Sequence, residues 1–146
     1  MDYHAFLVKV VIFAILFLLG LAFGRYNEQK HLKQLAEDEQ QLAYITVDNQ
    51  RFAEYEATGQ LITSNVVISH DYFKFVIASI HNFFGGRLKS YESILERARR
   101  EALVRLKKEA AKQGATHIAA LRLSSTEMGM EGGMVEVFAY GTAIKK

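Results

Sequence analysis

The chain has 146 residues, half of them apolar, which is enough for one domain and an accessory segment. It contains no cysteine, so disulfides, thiolate metal sites and thiol nucleophiles are all excluded. With 18 basic and 16 acidic residues, the formal net charge is only +2. This balance argues against a dedicated nucleic-acid-binding protein, which usually carries a much larger basic excess.

The first predicted element is an apolar segment, Ala5–Phe23, whose single charge is Lys9. As a helix it would be about 28 Å long, close to the hydrocarbon thickness of a bilayer. A cleaved signal peptide is the competing interpretation, but the basic n-region is almost missing and residues 24–27 are a poor cleavage site. A buried core helix is disfavoured because no polar face is present. We therefore predict that residues 1–24 form a retained membrane anchor.

The charges that flank this segment predict its orientation. Arg25, Lys30 and Lys33 follow it, whereas Lys9 and the terminal amine lie at the other end, beside Asp2. By the positive-inside rule, the carboxyl-terminal domain is expected in the cytoplasm. The protein is thus predicted to be a single-pass protein of a bacterial inner membrane.

Residues 25–43 are polar and compatible with a helix. Leu35 and Leu42 are seven residues apart and Leu32 shares their stripe, but Glu39 occupies the position that should extend it. We interpret the segment as a solvated helical stalk that continues from the membrane. A weak helical bundle between neighbouring chains is the alternative, although two heptads are too few to define a coiled coil.

The remaining residues, 44–146, are predicted to form the folded domain. Strands are predicted at Tyr44–Val47 and Gln60–Ser69 from their β-prone composition. A short helix is predicted over Phe73–Phe84 because apolar residues recur at helical spacing. The glycine pair Gly85–Gly86 would end this helix, and it lacks the lysine and the spacing of a phosphate-binding loop.

A long helix is predicted from Tyr91 to Gln113, with Ser90 as its N-cap and Gly114 as its stop. One face is apolar and rich in alanine, so the helix can approach a sheet closely. The opposite face carries basic residues that alternate with glutamates at four-residue spacing, including a predicted pair at residues 96 and 100. Such a pattern is typical of a solvated face rather than of a nucleic-acid-binding patch.

Two further strands are predicted, Thr116–Leu123 and Met134–Ile144, with residues 124–133 as a loop between them. Gly141 lies inside the second of these strands and predicts a bulge or a close backbone approach. The predicted fold class is α+β, with a small antiparallel sheet packed against a short and a long helix.

Six short motifs of this domain are informative together, although each alone is weak: Val76–Ile80, Phe84–Gly86, Ser90–Tyr91, Ala98–Ala102, Gly114–Ala115 and Ala139–Ala143. In combination they resemble the YbjQ-like family, which is named for heavy-metal binding and whose biochemical activity is not established. The resemblance covers residues 58–144 and, more loosely, residues 44–55. Arg87 departs from the family, which often has an acidic residue at this position, and the anchor and stalk are additions to the family domain.

The resemblance implies a dodecin-like fold that assembles through its sheets into a ring, typically a homopentamer. It therefore implies a membrane-anchored oligomeric binding or scaffold protein, with heavy-metal binding. A module that binds a small molecule in pockets between subunits is the alternative. No nucleophile–base pair or paired-carboxylate motif is recognisable, so no enzyme activity is predicted.

Two groups of residues are candidate metal ligands. The first is a histidine site, for which the candidates are His70 with Asp71, His81 and His117. His70 and Asp71 are adjacent, so in a strand they would point to opposite faces and would not easily share one ion. His81 lies among aromatic residues and is interpreted as a packed or surface histidine. The second is Met128, Met130 and Met134, whose thioethers around a flexible loop suit a soft monovalent ion such as Cu(I). A glycine-rich hairpin loop whose methionines pack on neighbouring chains is the alternative to this second site.

The methionine hypothesis predicts that the domain takes up Cu(I). Replacing Met128 and Met130 with leucine conserves side-chain volume but removes two thioethers, so uptake should be abolished. Elemental analysis of protein purified without an affinity tag measures the bound copper. Absence of uptake by the unmodified domain would contradict the hypothesis.

Overall fold

The computed structural model describes residues 3–50, 55, 57–69, 89–128 and 134–145. These form two helices and four strands, in the order α1 (Tyr3–Gln41), β1 (Thr46–Val47), β2 (Gly59–Ser69), α2 (Lys89–Lys112), β3 (His117–Met128) and β4 (Met134–Ile144). The strands form one sheet in the order β1-β3-β4-β2, and α2 packs on one face of it. The α+β class is therefore confirmed. The predicted short helix over residues 73–84 lies outside the described residues.

The sheet is mixed, so the prediction of an antiparallel sheet is wrong for one strand. β2, β4 and β3 are antiparallel neighbours, whereas β1 runs parallel to β3. The Thr46 N–H donates to the Thr116 carbonyl at 3.1 Å and the Asp48 N–H donates to the Ile118 carbonyl at 3.0 Å. Because these partners are some 70 residues apart in the chain, local sequence patterns carry no information on the relative direction of the two strands.

β3 is longer than predicted, and the expected loop at residues 124–133 begins later. Ser124 pairs with Phe138, and the ladder continues until Met128 pairs with Met134. Ser124 and Ser125 weaken the strand signal, but pairing with the regular β4 strand satisfies the backbone N–H and C=O groups of these residues and extends β3.

The long helix agrees with its prediction to within two residues at either end. Gly114 has φ +71°, so glycine ends the helix in the left-handed conformation that it tolerates. Ala98, Ala102 and Ala110 are fully buried, and these small side chains allow α2 to pack closely on β2 and β4. The remaining core includes Ile62, Val66, Leu106, Ile118, Val135 and Val137.

α1 is one continuous helix of 39 residues, about 58 Å long. Its most apolar 18-residue window has a mean hydropathy of 2.8, and none of that window is buried. By length and composition, this helix could cross a membrane. Because the helix is nearly twice as long as a bilayer is thick, its carboxyl-terminal half extends beyond any such span.

This second half of α1 is helical as predicted, but it is not solvated on all sides. Leu35 is only 2% exposed and shares the core with Leu42 and Ile45. Around this contact, three ion pairs join α1 to α2: Glu28–Arg97 at 3.4 Å, Asp38–Lys108 at 2.7 Å and Glu39–Arg100 at 2.7 Å. His31 Nε2 also lies 3.4 Å from a Glu101 carboxylate oxygen. The two helices are therefore docked against each other.

Arg100 makes the best-oriented of these ion pairs. Its Nε and Nη2 donate to the two carboxylate oxygens of Glu39 at 2.8 and 2.7 Å, a bidentate geometry that lowers the pKa of Glu39. The sequence predicted a bond between Arg100 and Glu96 on the same helix. In the structure the arginine instead hydrogen-bonds to α1, because Leu35 and Leu42 bring that helix alongside.

We predict that Arg100→Glu loosens the docking of α1 on α2. The substitution replaces a bidentate pair with like charges, at a cost of about 1 kcal/mol for a partly exposed pair. Hydrogen exchange of residues 28–41 in the detergent-solubilised protein should accelerate. The double variant Glu39→Arg/Arg100→Glu should restore slow exchange, and the exposed neighbour Arg99→Glu should leave it unchanged. Equal exchange in Arg100→Glu and Arg99→Glu would contradict the prediction.

Candidate functional site

Four polar side chains meet where β1 pairs with β3: Thr46, Asp48, Tyr55 and His117, called here the edge cluster. The parallel register places Thr46 opposite His117, the first residue of β3. Asp48 follows β1 directly, and Tyr55 comes from the following connection. The pairing of two strand ends that are distant in sequence therefore brings the cluster together.

The Asp48 carboxylate uses its two oxygens differently. Oδ1 accepts the backbone N–H of Gln50 at 2.9 Å and that of Ala120 at 3.4 Å. Oδ2 accepts the Tyr55 hydroxyl and lies 2.7 Å from His117 Nε2. The Tyr55 hydrogen bond is the main reason why the pKa of Asp48 falls to about 2, despite partial burial. The same bond holds the pKa of the Tyr55 hydroxyl above its ordinary value.

A β-bulge in β3 directs backbone N–H groups toward Asp48. The register shifts between Ala119 and Arg122, and Ala120 has φ +54°, in the left-handed region that side chains rarely adopt. The Leu121 N–H donates to the Asp48 carbonyl at 2.9 Å. The bulge therefore turns successive N–H groups of β3 toward one residue.

Gly141 lies on β4 beside this bulge, where the sequence predicted a bulge or a close approach. A Cβ on Gly141 would come within 2.8 Å of Ile118 Cγ2 and 3.1 Å of the Ala119 carbonyl oxygen. Glycine is therefore required here by space, and the prediction is confirmed.

His117 has a hydrogen-bonding partner on each ring nitrogen. Nε2 lies 2.7 Å from Asp48 Oδ2 and 3.2 Å from the Tyr55 hydroxyl, and Nδ1 lies 2.7 Å from Thr46 Oγ1. The rings of Tyr55 and His117 also pack at 5.4 Å between centroids. The side chains of His117 and Asp48 are 12% and 25% exposed, so solvent reaches the cluster.

Apart from His117, the residues considered as metal ligands lie elsewhere or outside the described part of the chain. Met128 and Met134 are direct cross-strand partners at the far end of β3 and β4. Met130, His70, Asp71 and His81 lie outside the described residues. Within residues 3–50, 55, 57–69, 89–128 and 134–145, no group of three His, Cys, Asp or Glu side chains could hold a metal ion.

Three of the four cluster residues gave no functional signal in the sequence. Asp48 lies in a stretch with the composition of a turn, Thr46 lies in a β-prone stretch, and Tyr55 lies in a stretch with the composition of an ordinary loop. Only His117 carried such a signal, because it was one of the histidines considered as metal ligands. Asp48 and His117 are 69 residues apart in the chain, so no local motif could have connected them.

The face of the sheet that points away from α2 carries large apolar side chains. We define this outer face by Leu61, Val67, Met134, Phe138 and Tyr140, which are 39–67% exposed. Phe138 and Tyr140 lie on β4 with their ring centroids 5.7 Å apart. The opposite face of the same strands is buried under α2.

Comparison with known proteins identifies the family of this domain. Residues 42–146 match the model of the YbjQ family, which is described as "Putative heavy-metal-binding". The chain belongs to this family. α1 ends at Gln41, directly before the first matched residue, so the long apolar helix is an addition to the family domain.

Several bacterial relatives of this chain are named only as UPF0145 proteins. One from Actinobacillus pleuropneumoniae serotype 5b is 37% identical over 99 residues, covering 68% of this chain and 91% of the relative. Another from Caulobacter vibrioides is 40% identical over 84 residues, covering 58% and 74%. A crystal structure of a protein of unknown function from Pediococcus pentosaceus, of the DUF74 family, is similar with a TM-score of 0.46 at 14% identity, covering 69% of this chain and 96% of that one.

The low pKa of Asp48 predicts a specific dependence of stability on pH. Because its pKa is lower in the folded chain than the ordinary 3.8, the ionised group stabilises the fold above that pH, and this stabilisation is lost as the pH falls toward 2. Asp48→Asn should therefore lower the free energy of unfolding by about 1–3 kcal/mol near neutral pH. The variant and the unmodified protein should converge in acid.

Denaturant unfolding of the detergent-solubilised protein, followed by circular dichroism at neutral and acidic pH, measures this difference. Glu127→Gln, which neutralises an exposed carboxylate elsewhere on β3, is the matched control and should have little effect at either pH. A deficit in Asp48→Asn that is the same at both pH values would contradict the assignment.

Proposed function

We propose that this YbjQ-family protein is a membrane-tethered homo-oligomeric platform with heavy-metal binding. The observation that carries the proposal is the outer face of the sheet, where apolar side chains remain exposed on a folded domain. Polar residues such as Thr63, Asn65 and Glu136 share this face, but large exposed apolar side chains on one face often mark an interaction surface. A sheet is stable when both of its faces are buried or when its open face is polar.

The edges of the sheet support self-association. Among the strands of the described residues, β2 lies at one edge of the sheet. Its 11 residues contain no charge and no proline, whereas natural edge strands are usually protected by such residues. On the opposite side, β1 pairs with only the first two residues of β3. Within the described part of the chain, the rest of that edge of β3 has no strand partner.

The proposed occupant is a second copy of the chain. The two open edges differ, so β2 of one copy can pair with β3 of the next in a head-to-tail arrangement. Contacts of this heterologous kind generate closed rings when the rotation between copies closes. Ring closure would cover both edges and bring the outer faces toward one another. A homopentamer is the number of copies that the family resemblance implies.

Because α1 is docked on α2, the folded domain would be held at a fixed position next to the membrane. The apolar half of α1 would span the bilayer, and the half that carries Leu35 stays bound to the domain. A ring of domains would therefore hold its transmembrane helices close together. By the positive-inside rule, the basic residues after the apolar segment favour a cytoplasmic location of the domain, at a bacterial inner membrane.

A small-molecule-binding module is the second candidate function. A shallow depression lined by Asn49, Leu121, Arg122 and Leu123 lies beside the open edge of β3. A neighbouring copy paired with this edge would form an additional wall and convert the depression into a pocket between subunits.

We predict that the detergent-solubilised protein is a discrete oligomer and that charges on the outer face dissociate it. Leu61→Lys with Val67→Lys places two lysines on the exposed side of β2, where burial of the charges would be costly. Light scattering coupled to size-exclusion chromatography measures the protein mass after subtraction of the detergent. Tyr44→Lys, an equally exposed substitution outside the sheet, should keep the oligomer. A monomeric unmodified protein would contradict the proposal.

A further inference from the structure

We infer that Asp48, His117 and Tyr55 form a binding site for a divalent transition-metal ion that prefers nitrogen and oxygen ligands, such as Zn(II) or Cu(II). The family description names heavy metals but no residues, and the relatives' names indicate no metal. The inference rests on the metal-binding part of the proposed function, but not on the proposed assembly, because all three side chains belong to one chain.

The three donor atoms are direct neighbours of one another. His117 Nε2 lies 2.7 Å from Asp48 Oδ2 and 3.2 Å from the Tyr55 hydroxyl oxygen, and the two oxygens are directly hydrogen-bonded to each other. Ligands of a tetrahedral ion at about 2.0–2.2 Å lie roughly 3.4 Å apart. An ion can therefore enter if the atoms separate by a small distance, and it replaces the hydrogens that they now share.

Hydrogen bonds orient the Asp48 carboxylate for metal binding. Its Oδ1 is fixed by the N–H groups of Gln50 and Ala120, so Oδ2 is left to point at His117 and Tyr55. Carboxylates that bind metals are commonly oriented by such additional hydrogen bonds. The bulge in β3 thus contributes to the site although none of its own side chains is a ligand.

Thr46 can orient the imidazole with or without an ion. Without an ion, Nε2–H of His117 donates to Asp48 and Nδ1 accepts the Thr46 hydroxyl. When an ion occupies Nε2, the ring proton resides on Nδ1 and donates to Thr46 Oγ1 at the same 2.7 Å. The threonine hydroxyl can then turn to the Thr116 carbonyl, 3.4 Å away. Histidine ligands of metals typically donate their second N–H in this way.

The charge of the site matches a divalent ion. Binding displaces the hydroxyl proton of Tyr55 to solvent and shifts the imidazole proton between its nitrogens, so one proton is released. The carboxylate and phenolate then carry two negative charges, and the imidazole is neutral. Imidazole and oxygen ligands suit Zn(II) and Cu(II) rather than a soft monovalent ion. The partial exposure of Asp48 and His117 leaves a fourth position for water.

Zinc titration tests the site directly. The full-length, tag-free protein in detergent is stripped with a chelator and titrated with Zn(II) by isothermal calorimetry. We expect one ion per chain. Tyr55→Phe, which keeps the ring and removes the ligand atom, should weaken binding at least about tenfold, and Thr46→Val should weaken it by a similar factor through loss of orientation. Tyr44→Phe, at an exposed tyrosine outside the cluster, is the matched control and should bind as the unmodified protein does.

Copper provides a readout that identifies the ligand. A phenolate bound to Cu(II) gives a visible charge-transfer absorption, which should be absent in Tyr55→Phe and retained in both Tyr44→Phe and Met128→Leu. Circular dichroism verifies that each variant is folded. Absence of stoichiometric zinc binding by the unmodified protein would overturn the inference, as would equal affinities of Tyr55→Phe and Tyr44→Phe. The cluster would then be only a structural connection between β1 and β3.

Discussion

The packing of α2 on β4 and β2 is the contact on which the rest of the domain depends. A helix is about 10 Å wide and neighbouring strands lie about 4.8 Å apart, so one helix covers two strands. The buried alanines of α2 lie over β4 and β2 and leave β3 at its margin. Leu123 on β3 consequently remains exposed, although the neighbouring β4 residues on that face are buried.

The uncovered margin is partly filled by the segment where α1 meets β1. Leu42 and Ile45 belong to the same core as α2 and the sheet. The two-residue strand β1, which follows them, pairs with the first two residues of β3. α1 is therefore part of the domain rather than a flexible tether, although it precedes the residues that match the family model. A change in the tilt of α1 would be transmitted to α2 through the ion pairs that join them.

Periodicity in the sequence predicted the regular elements because each of them follows from local spacing. The apolar stripe of α2, the alternation of β2 and β4, and Gly114 at the end of α2 all follow from local constraints. Gly141 was noticeable because a glycine inside a strand is unusual, although the contact that requires it comes from Ile118 and Ala119 on β3. The direction of β1 and the position of Tyr55 depend on pairing across a large sequence separation, which no local pattern encodes. Residues 124–128 were predicted as a loop for the same reason. Their strand propensity is weak, and they form a strand because the distant strand β4 pairs with them.

The two metal hypotheses concern opposite ends of β3 and different chemistry. His117 begins the strand and Met128 ends it, which separates them by roughly 36 Å along the strand. The methionines offer neutral, polarisable sulfur atoms, whereas the edge cluster offers an imidazole and two oxygens that become anionic on binding. Soft monovalent ions favour the first set and divalent ions the second. The preference of the protein for one class of ion therefore indicates which end of the sheet binds it.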